Sequence, residues 1–199
     1  WVHMVQHELL RLVAAPLLVV ARPSGPLLRG LPRAGGRAVG LILRGRLLRP
    51  VWRWLATPLA AWLAHAVVLW GWHLPAAFSA SLENTWIHAL QHLSFMWVAL
   101  LFWWALARSS QSGSATGVIY LFTTAVHSCA LGALLTFAPT PWYPPYLDTA
   151  PHWGLSALAD QQLGGLIMWV PAGLVFIAAG LLDVARLLNG GRRASPFEL

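Results

Sequence analysis

Five apolar segments, each about as long as a membrane-spanning helix, constrain the fold of this chain more than any other feature. A helix that crosses the roughly 30 Å apolar core of a bilayer needs about 20 residues. The segments meet that length and lie at residues 2–21, 52–74, 85–107, 117–138 and 159–185. Because their apolar runs are continuous rather than alternating, they favour helices over barrel strands. The sequence therefore predicts an all-α, polytopic transmembrane bundle of about five spanning helices, forming a single domain over residues 1–199.

Composition excludes the main alternatives to a membrane protein. The chain is 58% hydrophobic and 10% charged, whereas soluble domains carry about 25% charged residues. This balance excludes a soluble globular enzyme and a disordered chain. The single cysteine, Cys129, excludes an internal disulfide and a metal site built on a pair of thiolates.

The positions of the arginines predict which ends of the helices face the cytoplasm. The predicted loop over residues 22–51 is rich in arginine, and further arginines lie at Arg108 and beyond Arg186. The alternate loops, residues 75–84 and 139–158, hold none. By the positive-inside rule, the arginine-rich loops are cytoplasmic and the other ends of the helices face outward. The net charge of +7 therefore reflects topology; no motif indicates a nucleic-acid partner.

Histidines are unusually frequent for an apolar chain, since eight histidines exceed six acidic residues. None of them lies in a predicted cytoplasmic loop. His3 and His7, and likewise His88 and His92, are four residues apart near the outward ends of predicted helices. That spacing stacks two side chains on one helical face and is how one helix offers two imidazoles to one metal ion.

The neighbours of these histidines indicate copper. Met4 adjoins the first pair, and imidazole together with thioether suits Cu(I). Asp160 opens the fifth segment on the same side and is predicted to be a ligand or to orient one. Polar residues inside a membrane usually mark a site. The metal hypothesis competes with packing for Met4, and with an interfacial position for His152.

Three other polar residues have simpler interpretations. Glu8 and Arg11 are three residues apart, which allows a local ion pair. His65 is explained as a packed residue hydrogen-bonded to a neighbouring helix. Cys129 follows His127 by two residues, which places it on a different helical face and makes it a packing residue.

The order of short motifs resembles that of the CtaG-type cytochrome c oxidase assembly proteins. The resemblance extends from residue 3 to about residue 185. The motifs are His3-Met4-x-x-His7 followed by Pro16-Leu17-Leu18, Trp72-His73-Leu74-Pro75, His88-x-x-x-His92, and Asp160-Gln161-Gln162-Leu163-Gly164-Gly165 with Met168-Trp169.

The resemblance implies a bundle of about seven helices, of which this chain would lack the first one or two. It implies a role in maturing the copper centres of haem–copper oxidases in bacterial plasma membranes. Oxidase subunits and the lipid bilayer are the partners it implies. The matching residues, expected to bind metal, are His3, Met4, His7, His73, His88, His92 and Asp160.

We therefore expect an outward-facing copper site that hands its ion to an oxidase, with no bond-making chemistry. The site closes either within one chain or between two copies in a homo-oligomer. Three alternatives stay open. The first is a b-type cytochrome whose haem is held by His65 and His127 on facing helices. The others are a copper permease, which needs a polar path to the cytoplasmic side, and a metal-free assembly scaffold.

Overall fold

A computed structural model describes residues 1–22, 30, 32, 48–111 and 115–193. Every regular element within these ranges is helical, which confirms the all-α prediction. The predicted arginine-rich loop over residues 22–51 lies mostly outside the described residues. The helices are α1 (Val2–Ala21), α2 (Leu48–Leu55), α3 (Pro58–His73), α4 (Pro75–Glu83), α5 (Thr85–Gln111), α6 (Thr116–Thr136), the single turn α7 (Tyr146–Thr149) and α8 (Ala157–Arg193).

Among the described residues, four helices are long and apolar enough to cross a membrane, so the chain is a helical membrane protein. They are α1, α5, α6 and α8, with spans at Val2–Ala21, Thr85–Ser109, Thr116–Thr136 and Ala157–Asn189. Each coincides with one of the predicted apolar segments. The last helix continues to Arg193, well past the predicted boundary at residue 185.

The second predicted segment, residues 52–74, is divided between two helices. Pro58 has no N–H to continue a helix, and it forces the residue before it out of the helical conformation. Thr57 accordingly has an extended backbone, with ψ of 146°. Its hydroxyl accepts a hydrogen bond from the Ala60 N–H at 3.4 Å, which caps the new helix. The resulting α3 has 16 residues, a length of roughly 24 Å.

Helices α1, α5 and α8 run in the same direction through the bundle. Met4, Phe95 and Met168 share one apolar cluster near the beginnings of the three helices. Leu12, Phe102 and Phe176 share a second cluster further along. The histidines at the starts of α1 and α5 therefore lie at one end of the bundle, and the arginines at their other ends lie at the opposite end.

Helices α6 and α8 form the closest contact in the fold, and two glycines make it possible. A Cβ atom on Gly165 would lie 2.6 Å from the Thr136 hydroxyl oxygen and 2.7 Å from the Gly132 carbonyl oxygen. A Cβ atom on Gly132 would lie 2.6 Å from the Trp169 Cβ. Small residues at such positions let transmembrane backbones approach and gain dispersion contacts.

Helix α1 contains a π-helical stretch, Leu9–Ala14, between two α-helical halves. A π-helical stretch changes the angular register of the residues that follow it and weakens the local hydrogen-bond ladder. The Trp103 indole N–H donates to the Arg11 carbonyl oxygen at 2.8 Å, so that this carbonyl has a partner from α5. The stretch places the Arg11 side chain in the bundle interior, where it is 2% exposed.

The connection between α6 and α8 is fixed to the histidine end of the bundle. The Tyr143 hydroxyl donates to the His73 carbonyl oxygen at 3.0 Å, and its ring stacks on Phe78 with centroids 4.1 Å apart. The Trp142 N–H donates to the Gln161 side-chain oxygen at 2.6 Å. This connection therefore covers the ends of α3 and α4 next to the histidines.

Candidate metal site

Two helices each bring a pair of histidines to the same end of the bundle. On α1, the His3 and His7 rings have centroids 4.2 Å apart. On α5, the His88 and His92 rings are 4.4 Å apart and nearly parallel, with 21° between their planes. The four-residue spacing predicted these within-helix contacts, and the structure shows both.

The two pairs face each other and form one group, which we call the histidine cluster (His3, His7, His88 and His92). The centroid of His3 lies 4.9 Å from that of His88 and 5.4 Å from that of His92. The centroid of His7 lies 4.8 Å from that of His92. Four imidazoles from two helices therefore share one small volume.

Three members of the cluster are placed to hold one metal ion. Ring nitrogens of His3, His7 and His92 lie within 4.8 Å of one another. Imidazoles around a tetrahedral ion have metal–nitrogen distances of about 2.0–2.1 Å, so their nitrogens are roughly 3.4 Å apart. Rotations of the rings that bring the nitrogens about 1 Å closer would close the site.

Hydrogen bonds leave nitrogens of the cluster available as ligands. All four ring nitrogens of His3 and His7 are buried without a hydrogen-bond partner among the described residues. The His92 Nδ1 donates to the His88 carbonyl oxygen at 3.1 Å, and the His88 Nδ1 donates to the Ser81 carbonyl oxygen at 3.3 Å. Because a carbonyl oxygen only accepts, each Nδ1 carries the proton and each Nε2 keeps a free lone pair.

His73 lies beside the cluster and contacts two phenylalanine rings that also contact the cluster. Its centroid is 5.9 Å from Phe78 and 6.2 Å from Phe95. Those same rings lie 5.4 Å from His3 and 4.6 Å from His7, respectively. The His73 Nδ1 donates to the Leu69 carbonyl oxygen at 2.7 Å, and its buried Nε2 has no partner among the described residues. The structure does not include His73 in the group that can share one ion.

Met4 and Met168 pack in an apolar cluster rather than among the imidazoles. Met4 is 6% exposed and shares this cluster with Met168, Leu69 and Leu131. Its Cγ would lie 3.2 Å from a Cβ on Gly164, so the side chain rests on α8. On α1, adjacent residues point about 100° apart, which directs Met4 away from the face of His3.

Asp160 lies at the mouth of the cluster. A cavity of about 300 Å³ is lined by Asp160, His3, His88 and residues of the α6–α8 connection, including Trp153. The Asp160 carboxylate is buried and lies 2.8 Å from the Trp1 nitrogen. Asp160 therefore lies in the wall of the cavity that reaches His3 and His88. His152 is exposed on the same connection.

A second polar group lies one to two helical turns deeper. The Arg11 guanidinium pairs with the Glu8 carboxylate at 3.3 Å, which confirms the predicted local ion pair. His65 and His127 come together with centroids 5.5 Å apart, against Trp62 and Phe102. His65 is buried, as expected for a packed residue, and its Nδ1 has no hydrogen-bond partner among the described residues.

Some residues around the site were missed by sequence reasoning. Gln91 is fully buried beside the α5 pair, and its position three residues after His88 puts it on nearly the same face. Phe78 and Phe95 contact both His73 and the cluster, and no local pattern distinguishes them from other core aromatics. The Ser81 carbonyl is a backbone group, so no residue pattern could have predicted its contact.

The fold and site define a helical membrane protein with a cluster of histidines at one end. The family described as cytochrome c oxidase caa3 assembly factor (Caa3_CtaG) matches residues 1–189, so the chain belongs to that family. This match confirms the resemblance seen in the motifs. The family description names an assembly factor for cytochrome c oxidase, and the long apolar helices make this chain a membrane protein of that family.

Two curated relatives align with almost the whole chain. They are uncharacterized proteins of Mycobacterium bovis (strain ATCC BAA-935 / AF2122/97) and Mycobacterium tuberculosis (strain CDC 1551 / Oshkosh), each 28% identical over 206 residues. The alignment covers 99% of this chain and 31% of each relative, so the chain spans about a third of their length. No solved structure gives a significant match.

Proposed function

We propose that this chain assists oxidase assembly by binding one copper ion at the histidine cluster and passing it to an oxidase copper centre. The convergence of imidazoles from α1 and α5, with the nitrogens of His3 and His7 unpartnered, is the observation that carries the proposal. A buried polar atom without a partner costs about 1–3 kcal/mol. A metal ion that ligates these nitrogens removes that cost and explains why several such atoms lie together.

Charge favours Cu(I) among the ions that imidazole binds. The ligands are neutral imidazoles, His73 lies outside the set that shares one ion, and Met4 packs in the neighbouring apolar cluster. Because the penalty for burying charge rises steeply with the charge, a monovalent ion is cheaper than a divalent one in this neutral, buried site. Imidazole is also a good ligand for copper in general.

The cavity lined by Asp160 gives a metal ion a route to the histidine cluster, and the carboxylate attracts the ion. Its volume of about 300 Å³ accommodates a small metal complex, and it leads to His3 and His88. The carboxylate draws a cation towards the cluster without joining the four imidazoles. We place this end on the outward face of the bacterial plasma membrane, because Arg22, Arg108 and Arg186 lie at the other end.

Transfer then needs ligand exchange rather than bond-making chemistry. The half-buried His88 and His92 are the members of the cluster through which an acceptor subunit can replace imidazoles with its own ligands. His3 and His7 are buried and release the ion last. The acceptor is a subunit of a haem–copper oxidase, docked at the histidine end.

Metal analysis with an absorption spectrum of the purified full-length protein is the deciding experiment. Anaerobic loading with Cu(I) should give about one tightly bound copper per chain, without a Soret band. A Soret band with stoichiometric haem would select the b-type cytochrome instead. A protein that retains no copper after loading would overturn the proposed site while leaving the family membership intact.

A further inference from the structure

A large cavity lies between α1, α5 and α8 at the end of the bundle opposite the histidine cluster. Its volume is about 710 Å³. Three arginines line it: Arg22 at the end of α1, Arg108 near the end of α5 and Arg186 on α8. The three guanidinium groups come from residues that are distant in sequence but line one concave surface. A row of charges along a single loop would not have this arrangement.

The cavity keeps a positive charge after its local ion pair is counted. The Arg186 Nη1 lies 3.5 Å from the Asp183 carboxylate, whose side chain is 6% exposed. Asp183 therefore compensates for one of the three arginines. Two further positive charges face a common volume, and such a basic pocket between transmembrane helices suits an anionic lipid headgroup.

Two other groups complete the cavity. The Trp104 side chain lines it, and the Trp104 Nε1 is buried without a hydrogen-bond partner among the described residues. An indole N–H only donates, so it needs an acceptor such as a phosphate oxygen. Val19 and Val20 form an apolar wall, and Val20 is 80% exposed on the lipid-facing surface of α1. An acyl chain can lie along this wall.

We propose that the cavity binds one anionic phospholipid, with its phosphate between Arg22 and Arg108 and a phosphate oxygen accepting from the Trp104 indole. The apolar wall and its lipid-facing position assign the phosphate to a lipid rather than to a free ion. The excess of positive charge disfavours a zwitterionic headgroup, since its ammonium would face the guanidinium groups. The site is independent of copper binding.

The test uses full-length protein, delipidated in a neutral detergent. Phosphatidylglycerol, phosphatidylcholine and inorganic phosphate are added separately, and bound lipid is counted by native mass spectrometry alongside the thermal unfolding midpoint. We expect phosphatidylglycerol to bind with one lipid per chain and to raise the midpoint. Equal retention of phosphatidylcholine, or equal protection by inorganic phosphate, would overturn the proposal.

Substitutions of residues inside and outside the cavity test where the lipid binds. Because a juxtamembrane arginine contributes a factor of about five to the affinity for anionic lipid, Arg108→Gln should weaken phosphatidylglycerol binding about fivefold. Arg53→Gln removes the same charge at the same end of the bundle but outside this cavity, and it should leave binding unchanged. Trp104→Phe keeps the ring and removes only the N–H, so it should weaken binding severalfold. Equal losses in Arg108→Gln and Arg53→Gln, or full binding in Trp104→Phe, would contradict the assigned site.

Discussion

The imidazole of His3 lies nearly parallel to that of His88, with centroids 4.9 Å apart and 16° between their planes. One ring belongs to the first membrane span and the other to α5, more than eighty residues later. An ion ligated by the histidine cluster would therefore connect two helices that also meet through apolar contacts and the hydrogen bond from Trp103 to the Arg11 carbonyl oxygen. Copper binding should stabilise the bundle as well as serve transfer.

Replacing His88 and His92 together with alanine should abolish stoichiometric Cu(I) binding. The double variant removes every α5 ligand, so the remaining imidazoles cannot complete the coordination of one ion. Copper per chain measures this directly, and the copper-induced rise in the unfolding midpoint should vanish with it. At a free copper concentration of 100 times Kd, ligation contributes about 2.7 kcal/mol.

His152→Ala is the matched control for that variant. His152 is exposed on the α6–α8 connection at the same end of the molecule, so its loss removes an imidazole without touching the cluster. Copper stoichiometry should stay at the wild-type value. Unchanged stoichiometry in the His88/His92 double variant would show that the copper site lies elsewhere.

Gly165→Ala should destabilise the bundle, because a Cβ there would lie 2.6 Å from the Thr136 hydroxyl oxygen and 2.7 Å from the Gly132 carbonyl oxygen. Helices α6 and α8 would have to separate, at a cost of about 1–3 kcal/mol. Gly180→Ala is the control in the same helix, since a Cβ there meets nothing within 4 Å. Thermal unfolding in detergent compares the two, and equal midpoints would contradict the close approach.

Sequence patterns that act within one helix predicted part of the site, whereas contacts between helices lay beyond them. The four-residue spacing of His3 and His7 is local, so it correctly predicted that their rings meet. Length and hydropathy predicted the spans, because bilayer thickness fixes both. The meeting of α1 with α5 followed only from the resemblance, since periodicity within a helix does not specify its partner.

Two expectations depended on local geometry that mean hydropathy and adjacency in sequence do not describe. The segment over residues 52–74 was expected to be one helix because hydropathy averages over the local effect of Pro58. Met4 stays a predicted ligand because of its position beside His3, and in the structure its Cγ lies against α8 at Gly164. Side-chain direction on a helix changes by about 100° per residue, so adjacency in sequence does not place two ligands on one ion.

Tyr143→Phe should lower stability by about 1 kcal/mol, the usual contribution of a hydrogen bond between neutral groups. The Tyr143 hydroxyl donates to the His73 carbonyl oxygen at 3.0 Å, and its stacking on Phe78 survives the change. Burial raises the pKa of Tyr143, so its phenol remains a donor throughout the neutral and mildly alkaline range. The unfolding midpoint at pH 7.5 measures the loss. A midpoint equal to the wild-type value would show that the connection is held by ring packing alone.

Replacing His65 and His127 with alanine should leave copper stoichiometry unchanged. Their rings meet at 5.5 Å in a deeper layer with Arg11 and Glu8, apart from the group that can share one ion. Haem held between two imidazoles would need the space that Trp62 and Phe102 fill, each 5.4 Å from one of the rings. We therefore expect lower stability with normal copper binding. If this variant keeps its helical circular dichroism but loses copper, the metal site lies in the deeper layer. If the wild-type protein shows a Soret band that disappears when these histidines are replaced, the protein is a b-type cytochrome.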